Sequence, residues 1–512
     1  MTGMNRPIKR IALAVLVMFV ILLVNVNYLQ GVEANSLSSR PLNDRAEYNQ
    51  NQVQRGNIVT ADGVTVATSK PSSDSLLKFQ RVYPGGAAYA PVTGYDTIYT
   101  QAQAPNYAIG VERAENSLLT GTGSQLAFRN FIDTITNKPQ KGATVQLTVN
   151  SKAQQVAYQQ LETALQGKTF NGKQAVGGVV ALNPSTGAIL AMASYPSYDP
   201  NQLAVHDTNT LNQIDTKLTG EDPSPLLNNA SQTTLPPGST FKIVTSSAWY
   251  NQDPTRNPNT LIDSPQPLQL PNGNLLNNDS NEQCGNGSGK TAVYYAFAQS
   301  CNTPFADLGI QLGGSTIKSM ATQYGLNNAS AQDITGVNVA ASNFTAEADK
   351  SFTAFDAIGQ HDTTVSPLQE AMFAATVANG GTLMKPYLVQ QVTASDLSVV
   401  QQTQAQQLSQ PISSTIAGYE KQMMTAVVQQ PEGTAYGFNA NNENGLIIAG
   451  KTGTAQNGLS TNPDAVFTAF APADNPKIAV GVMIQGGGYG AAAAAPIAVA
   501  VIKAYLATLG NQ

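Results

Sequence analysis

The sequence predicts an α+β protein with three parts: an N-terminal transmembrane helix, a β-rich module, and a larger domain in which helices flank an antiparallel sheet. Three observations lead to this prediction. A long apolar run follows the first ten residues, alternating apolar and polar residues follow it, and late strand-like runs end in an apolar helix at residues 491–510. Strands and helices that are grouped rather than regularly alternated are typical of α+β folds.

Composition limits the functional classes. The 512 residues are 42 % hydrophobic, enough for two or three domains with a sizeable core. The net charge is −5, and no basic block follows the first ten positions, which argues against a nucleic-acid partner. Two histidines, His206 and His361, and two cysteines argue against a multi-histidine metal centre, so no metal and no cofactor is predicted.

The N-terminus carries a membrane signal. Three basic residues precede an uninterrupted apolar stretch, Ile11 to Val24, and the longer segment to Leu29 reaches the roughly 17–25 residues that cross a bilayer. The alternative is a cleaved signal peptide with a small-residue site at 32–34. We favour the anchor because the full stretch exceeds a usual signal-peptide core. Basic residues stay inside, so we expect a single-pass protein of the cell membrane with a cytoplasmic N-terminus and an exported remainder.

Changes of periodicity suggest the domain limits. Residues 1–30 form the cytoplasmic tip and anchor, and residues 31–150 form a non-catalytic module that contains a β-hairpin around Asp62 and Gly63. A helical period begins at Ser151, a candidate helix cap, so we place the start of the second domain, 151–512, at this residue.

The second domain shows strands in two distant regions. Residues 174–197 read as a hairpin that turns at 183–187. Three more strands are expected in 443–456 and 464–487, ahead of the terminal helix. We therefore expect an antiparallel sheet that is covered by this helix.

The segment LPPGSTFKIV, residues 235–244, raises a chemical question. Ser239 and Lys242 are three residues apart, so on a helix both face the same space. The preceding Pro-Pro-Gly marks a helix start, where free backbone N–H groups can receive a developing oxyanion. A lysine with a pKa lowered by burial and neighbouring cations can take the serine proton.

This spacing alone is weak, because it recurs at Ser75 and Ser315, where a capping serine with a surface lysine is the ordinary interpretation. The order of the other motifs distinguishes Ser239 from the other two serines. Ser239 is followed by Ser300-Cys301-Asn302 and then by Lys451-Thr452-Gly453-Thr454, which holds the only Lys-Thr-Gly of the chain. This ordered set is typical of enzymes that form an acyl-serine with penicillin.

Each member of the set has a task that suits its chemistry. The Ser300 hydroxyl can relay a proton, and Asn302 can bind both Lys242 and a substrate amide. Lys451 supplies positive charge for a substrate carboxylate.

The remaining positions of the third element are candidate substrate-binding residues. Thr452 and Thr454 offer hydroxyl donors, and Gly453 allows close approach of the backbone. The N–H groups of Thr454 and Ser239 would form an oxyanion hole.

Two cysteines, Cys284 and Cys301, leave two interpretations open. In an exported chain they can form a disulfide, and a short loop of this kind is worth about 3 kcal/mol in the chain-entropy model. The alternative is a pair of unrelated small apolar residues.

The motifs together resemble those of class B penicillin-binding proteins. Ahead of the catalytic set, RGNIVTADG resembles the Arg-Gly-x-Ile element of that family, and GVERAENSLLTG resembles its Gly-x-Glu element. GATVQLTVN, VVALNPSTGAILAMAS and SPLQEAMFAATVANGGTLMKP continue the likeness in order, so it covers almost the whole chain. The length and the RGNIVTADG form resemble, more narrowly, the penicillin-binding protein A type of actinobacteria.

The resemblance implies a penicillin-binding/serine β-lactamase-like transpeptidase domain behind a pedestal or dimerisation module. It implies a D,D-transpeptidase: Ser239 attacks the D-Ala-D-Ala bond of a peptidoglycan stem peptide, D-alanine leaves, and an amine of a neighbouring stem resolves the acyl-enzyme. β-Lactams would acylate the same serine. The implied setting is cell wall synthesis at division, and the implied partners are lipid-linked precursors and a membrane glycan polymerase of the SEDS family.

Other functions remain alternatives. A D,D-carboxypeptidase differs only in using water to resolve the acyl-enzyme, and a non-catalytic septal scaffold would not need the intact motifs. A β-lactamase carries the same motifs, but the exported module and anchor argue against it. A histidine-dependent hydrolase would need His206 or His361, which we interpret as surface residues.

Overall fold

Two β-sheets organise the chain in a computed structural model. The structure describes residues 5–31, 33, 52–73, 77–97, 110–136, 138–437, 445–456 and 462–510. The strands are β1 (Ile58–Val59), β2 (Thr65–Pro71), β3 (Phe79–Val82), β4 (Thr144–Leu147), β5 (Thr169–Phe170), β6 (Lys173–Gln174), β7 (Gly177–Leu182), β8 (Ile189–Tyr195), β9 (Leu261–Asp263), β10 (Leu268–Gln269), β11 (Leu275–Leu276), β12 (Lys290–Ala292), β13 (Leu383–Met384), β14 (Val389–Thr393), β15 (Val399–Gln402), β16 (Gln407–Ser409), β17 (Ala449–Ala455), β18 (Asp464–Ala471) and β19 (Ile478–Ile484).

The helices are α1 (Asn5–Gly31), α2 (Ala90–Thr93), α3 (Gly110–Ala114), α4 (Asn116–Leu119), α5 (Ala127–Ile135), α6 (Ser151–Leu165), α7 (Thr208–Gly220), α8 (Lys242–Gln252), α9 (Val293–Ala298), α10 (Asn302–Leu312), α11 (Gly314–Gln323), α12 (Ala329–Gln332), α13 (Lys350–Asp356), α14 (Pro367–Ala378), α15 (Ser414–Gln429), α16 (Gly490–Ala493) and α17 (Ala495–Leu509). Single 3₁₀ turns lie at Gly86–Ala88, Ser124–Leu126, Pro200–Gln202, Gly238–Phe241 and Asp279–Asn281.

Helix α1 is a candidate membrane span. Its segment Ile8–Leu29 has a mean hydropathy of 2.5, and none of it is buried against the rest of the protein. Gly490–Leu509 has a similar length and a mean hydropathy of 1.8, but half of it is buried, because α17 packs on the larger-domain sheet. Val32 and Ala34 of the alternative cleavage site lie outside the described residues.

The first sheet has the strand order β15-β14-β4-β1-β2-β3. Strands β1 and β2 form the hairpin expected around Asp62 and Gly63, and β1 pairs in parallel with β4. Strand β14 pairs antiparallel with β4, although it follows β4 in the chain by more than two hundred residues. The sheet of the N-terminal part is therefore completed by a hairpin from the second predicted domain, while the limit at residue 150 stays a prediction.

A buried ion cluster stabilises this N-terminal part. The two carboxylate oxygens of Glu112 accept hydrogen bonds from Arg55 Nε and Arg81 Nε, each at 2.6 Å, and all three residues are buried. Burial alone would raise the pKa of Glu112, but the charges of Arg55 and Arg81 hold it below its ordinary value. The Arg-Gly-x-Ile and Gly-x-Glu segments thus meet through Arg55 and Glu112.

The second sheet has the order β17-β18-β19-β7-β8 and is antiparallel throughout. Every residue of β18 and β19 is buried, which requires cover on both faces. Helices α6, α14 and α17 pack on this sheet, and α14 approaches β19 so closely that a Cβ on Gly481 would lie 2.4 Å from the backbone of Ala371. This architecture confirms the α+β prediction.

The expected cap of helix α6 is wrong by one residue. Asn150 is the N-cap, and its Oδ1 accepts a hydrogen bond of 3.0 Å from the backbone of Ala153. Ser151 is the first helical residue, and its backbone N–H donates to Asp62 at 3.0 Å. The asparagine side chain satisfies a free N–H of the first turn, and the serine is used instead to tie the helix to the β1–β2 turn.

Candidate active site

Ser239 lies in a tight turn between two backbone segments. The 3₁₀ turn Gly238–Phe241 leads directly into helix α8, so Ser239 and Lys242 share one face as expected. Gly238 has a φ of +56°, and a Cβ there would lie 2.8 Å from the carbonyl oxygen of Thr454. Its N–H donates to the carbonyl of Gly359 at 2.8 Å. The turn is thereby held against strand β17, with Ser239 partly exposed.

Lys242 is the centre of the site. Its Nζ lies 2.9 Å from Ser239 Oγ, 2.7 Å from the carbonyl oxygen of Ser300 and 2.8 Å from Asn302 Oδ1. The side chain is fully buried. Burial is the main cause that holds the pKa of Lys242 well below its usual range; the charge of Lys451 adds to it, and the smaller effect of the Asp279 charge opposes it. Lys242 therefore has the environment of a base.

Ser300 links both lysines. It lies between helices α9 and α10 with a φ of +60°, and its hydroxyl accepts a 2.7 Å hydrogen bond from Lys451 Nζ. Lys451 also donates to the carbonyl of Thr452 at 3.1 Å. Burial lowers the pKa of Lys451 to about 7. Ser300 and Asn302 are partly exposed, whereas the side chains of Lys242 and Lys451 are fully buried.

Strand β17 presents the third element at the sheet edge. A Cβ on Gly453 would lie 2.5 Å from the carbonyl oxygen of Pro237, so only glycine permits this contact between strand and turn. Thr452 is buried, and its hydroxyl lies 2.6 Å from that of Thr434. Thr454 is partly exposed, and its carbonyl accepts from Gln360 Nε2 at 3.3 Å.

A disulfide joins Cys284 to Cys301, the middle residue of the second element. It ties the loop before β12 to the start of helix α10. In the same loop, the buried Asn278 accepts hydrogen bonds from the backbone N–H groups of Asn302 at 2.7 Å and Thr303 at 2.9 Å. Asn278 thus caps α10 from a distant segment and fixes the residue that contacts Lys242.

The competing copy of the serine–lysine spacing lies elsewhere. Ser315 and Lys318 are both exposed on helix α11, so Lys318 is a surface lysine as expected, but the N-cap is Gly313 and not Ser315. Ser75 lies outside the described residues.

The histidines do not contact Ser239 among the described hydrogen bonds. His361 is exposed, as expected of a surface residue, and its ring stacks on Phe352 with 4.6 Å between centroids and lies 3.5 Å from Asp356. His206 is half-buried. Within the described ranges, the chain holds no group of three or more histidine, cysteine or acidic side chains that would suit a metal ion.

Sequence reasoning missed three supporting residues: Asn278, Thr434 and Glu370. Glu370 is fully buried on α14, and its Oε1 lies 2.7 Å from the hydroxyl of Thr240, next to Ser239. A signal for Glu370 was present, since it is the one charged residue in the mainly apolar segment SPLQEAMFAATVA, and a buried carboxyl needs a partner. Asn278 had no such signal, because it lies among many other asparagines of one loop.

The comparison with protein families agrees with this geometry. The model of the penicillin-binding protein transpeptidase domain matches residues 177–503, which contain all three elements of the site. The chain is a class B penicillin-binding protein. A second model, the penicillin-binding protein A dimerisation domain, matches residues 55–145 of this penicillin-binding protein.

Individual relatives match over nearly the full length. The chain is 38 % identical to the peptidoglycan D,D-transpeptidase PbpA of Mycolicibacterium smegmatis, over 98 % of this chain and 99 % of that one. It is 36 % identical to PbpA of Mycobacterium tuberculosis, with the same coverage. The imipenem acyl-enzyme of penicillin-binding protein A from M. tuberculosis superposes with a TM-score of 0.80 at 35 % identity, over 90 % of this chain and 99 % of that one.

Proposed function

We propose that this penicillin-binding protein is a peptidoglycan D,D-transpeptidase whose acyl-enzyme forms at Ser239. The observation that carries the proposal is the 2.9 Å contact between Lys242 Nζ and Ser239 Oγ. Relatives over the full length bear this activity in their names, and neighbouring structures are acyl-enzymes with imipenem and penicillin G.

The contacts of Lys242 suit a neutral amine. The Ser300 carbonyl and Asn302 Oδ1 only accept hydrogen bonds, so they take the two N–H groups that a neutral amine offers. The lone pair then points to Ser239 Oγ, which at 2.9 Å is closer than Ser300 Oγ at 3.5 Å, and accepts its proton. Lys242 is therefore the general base for acylation.

The other groups match the charges that develop in the reaction. Ser239 Oγ attacks the carbonyl carbon between the two D-alanines, and the N–H groups of Ser239 and Thr454 receive the oxyanion. The proton passes from Lys242 through Ser300 to the leaving D-alanine amine. Lys451, with the Thr452 and Thr454 hydroxyls, binds the substrate carboxylate. An amine of a second stem peptide then attacks the ester and releases Ser239.

Intact-mass labelling with a fluorescent penicillin tests the nucleophile. We expect one adduct on the wild type, none on Ser239→Ala, and an unchanged adduct on the control Ser315→Ala, which alters the exposed copy of the same spacing. An adduct that persists on Ser239→Ala would refute the assignment.

Product analysis tests the reaction class. With lipid-linked precursor and a glycan polymerase, a transpeptidase yields cross-linked stem dimers. Stems that only lose their terminal D-alanine would identify a D,D-carboxypeptidase instead, and unprocessed stems would identify a non-catalytic scaffold.

The membrane segment also bears on the proposed orientation of the protein and on its proposed partner. Basic residues before α1 favour a cytoplasmic N-terminus and an extracytoplasmic catalytic domain. A SEDS-family glycan polymerase is the proposed partner, because a transpeptidase consumes the strands that such a polymerase makes in the same membrane. Division is the proposed setting. Co-purification of this protein with the polymerase from membranes tests the partner. Depletion of this protein tests the setting, because a role in division predicts loss of septal rather than lateral cross-linking.

A further inference from the structure

Two hydrogen-bond acceptors compete for one proton beside the nucleophile. Thr240 Oγ1 lies 2.7 Å from Glu370 Oε1 and 2.9 Å from the carbonyl oxygen of Pro237. Both Thr240 and Glu370 are fully buried, and Glu370 Oε2 has no hydrogen-bond partner in the part of the chain that the structure describes. A threonine hydroxyl has a single hydrogen, so with an ionised Glu370 it can satisfy only one of the two oxygens. A protonated Glu370 removes the conflict.

We propose that Glu370 is a positioning residue that holds the Ser239 turn as a protonated carboxylic acid: it donates to Thr240 Oγ1, and Thr240 donates in turn to the carbonyl of Pro237. This inference deepens the proposed function, on which its kinetic consequence rests. Glu370 does not reach the substrate and acts only through the backbone of the turn.

The chain of hydrogen bonds ends where the turn meets the sheet. The Pro237 carbonyl that Thr240 satisfies is the oxygen that packs against Gly453, and Gly238 packs against the backbone of Thr454. Helix α14 is itself fixed on β19 at Gly481. Glu370 therefore connects a rigid part of the core to the backbone on which the N–H of Ser239 depends for its direction.

The environment favours the neutral acid. Burial raises the pKa of Glu370 to about 8, and the Thr240 hydrogen bond only partly opposes this. The strands β7, β13 and β19 that pack on α14 carry no titratable side chain, and β18 carries only Asp464, at its start. Helix α15, which also packs on α14, carries the titratable residues Tyr419, Glu420 and Lys421. Tyr324 packs against Phe373 of α14, and Lys242 lies beyond the turn.

The other side of helix α8 repeats the arrangement. Ser246 Oγ lies 2.6 Å from Glu420 Oε1 and 2.7 Å from the carbonyl oxygen of Lys242. Glu420 differs from Glu370 in that a second hydroxyl, Ser247 Oγ, lies 3.3 Å from Oε1, while Oε2 has no hydrogen-bond partner among the described residues. Burial raises the pKa of Glu420 to about 8 as well. Buried acids thus lie on both sides of the segment that carries Ser239 and Lys242, each beside a hydroxyl that also reaches a backbone carbonyl.

Infrared difference spectra of the full-length protein test the protonation directly. We expect the wild type minus Glu370→Gln difference at pH 7 to contain the carbonyl stretch of a protonated carboxylic acid, and the band to disappear as the pH rises through about 8 to 9. This readout does not require Ser239 to be acylated, so it is independent of the proposed function. A difference spectrum without the band at pH 7 would overturn the proposal.

Penicillin acylation rates test the positioning role. Glu370→Gln keeps a neutral donor, so we expect a rate within about threefold of wild type at pH 7 and a ratio to wild type that rises above pH 8. Glu370→Met keeps the size but loses the donor, and the loss of one hydrogen bond predicts an acylation rate about five- to tenfold lower. A Met variant as fast as wild type with an unchanged pH profile would contradict this role.

Thr240→Val covers the case in which Glu370→Met does not fold. It removes the intermediate hydroxyl, so we expect the same loss of acylation rate with normal thermal unfolding. The double variant Thr240→Val with Glu370→Gln should acylate no faster than Thr240→Val alone above pH 8, because the hydrogen bond between residue 370 and the turn is already lost. If the double variant shows the same rise in acylation rate as Glu370→Gln alone, Glu370 does not act through Thr240, and the proposed series of hydrogen bonds is refuted.

Discussion

Lys451 Nζ and Ser300 Oγ are hydrogen-bonded at 2.7 Å, which joins the sheet edge to the loop that carries the second motif. The group proposed to bind the substrate carboxylate thus directly contacts the hydroxyl proposed to relay the proton. Because Lys242 bonds the carbonyl of the same serine, the protonation states of the two lysines affect one another. The pH dependence of acylation should therefore report both.

We predict a bell-shaped pH profile for the second-order rate of acylation by penicillin. The rate rises as Lys242 loses its proton, at a pH well below that of an ordinary lysine, because burial and Lys451 lower its pKa. It falls above about pH 7 as Lys451, with its pKa lowered to about 7, loses its charge. In Lys451→Arg the guanidinium keeps its proton, so we expect a lower maximum without the alkaline fall. An alkaline fall unchanged in Lys451→Arg would contradict the assignment.

Removal of the base should stop acylation without unfolding the protein. Lys242→Met keeps the volume of the side chain but offers no lone pair, and loss of general base catalysis predicts a rate about 10²- to 10⁴-fold lower. Stopped-flow acylation checks this, with Lys318→Met as the matched control on helix α11. If Lys242→Met reacts within a few-fold of wild type, another group must accept the proton.

The cap on helix α10 predicts a role for a loop residue outside the motifs. Asn278→Ala leaves the N–H groups of Asn302 and Thr303 without their acceptor and should destabilise the protein by about 1 kcal/mol. Asn302 then shifts relative to Lys242, so acylation should slow more than stability falls. Asn274→Ala, in the exposed part of the same loop, is the control and should change neither. Equal effects of the two variants on acylation would exclude this role of Asn278.

The ion cluster of the N-terminal part should be sensitive to the loss of its carboxylate. Glu112→Gln leaves the buried charge of Arg81 without its carboxylate partner and leaves Arg55 only Asp96, at 3.7 Å; breaking a buried pair in this way typically costs about 3–5 kcal/mol. Chemical denaturation measures this, and the exposed Glu221→Gln serves as the control. A loss below about 1 kcal/mol would mean that the arginines find other partners.

The buried acid on helix α15 predicts a pH dependence of stability. The folded state holds the pKa of Glu420 near 8, above the unfolded value near 4.5, so the folded state binds the extra proton. Its contribution to stability is complete below about pH 4.5 and is lost as the pH rises towards 8. The unfolding free energy of Glu420→Gln should therefore rise relative to wild type between pH 5 and 8. A difference that is constant with pH would show that Glu420 is ionised in both states.

Much of the site was predictable because its chemistry depends on residue types in a fixed order. Ser239, Lys242, Ser300, Asn302 and Lys451 lie in three short segments, and each segment carries a recognisable pattern. The supporting residues differ, because Asn278 and Thr434 act through single contacts that depend on the path of a loop. Glu370 stood out as a polar residue in an apolar helix, but its partner could only be known from packing.

In the fold, too, the features with a local sequence signal were predictable and those that depend on long-range packing were not. The strands β17, β18 and β19 were expected because apolar runs separated by turn residues have a local signal. The pairing of β14 with β4 has no local signal, since it depends on where two distant segments meet. Asn150 rather than Ser151 caps α6 because the two neighbours have nearly equal intrinsic preference and the contact with Asp62 decides.

The hairpin of β14 and β15 limits how the protein can be divided. A recombinant fragment that stops at residue 150 would leave β4 with unpaired backbone groups along one side, which invites aggregation. Chimaeras that exchange the N-terminal part between relatives would have to transplant residues 389–402 as well. Selection on this interface should accordingly act on two stretches of the gene that lie far apart.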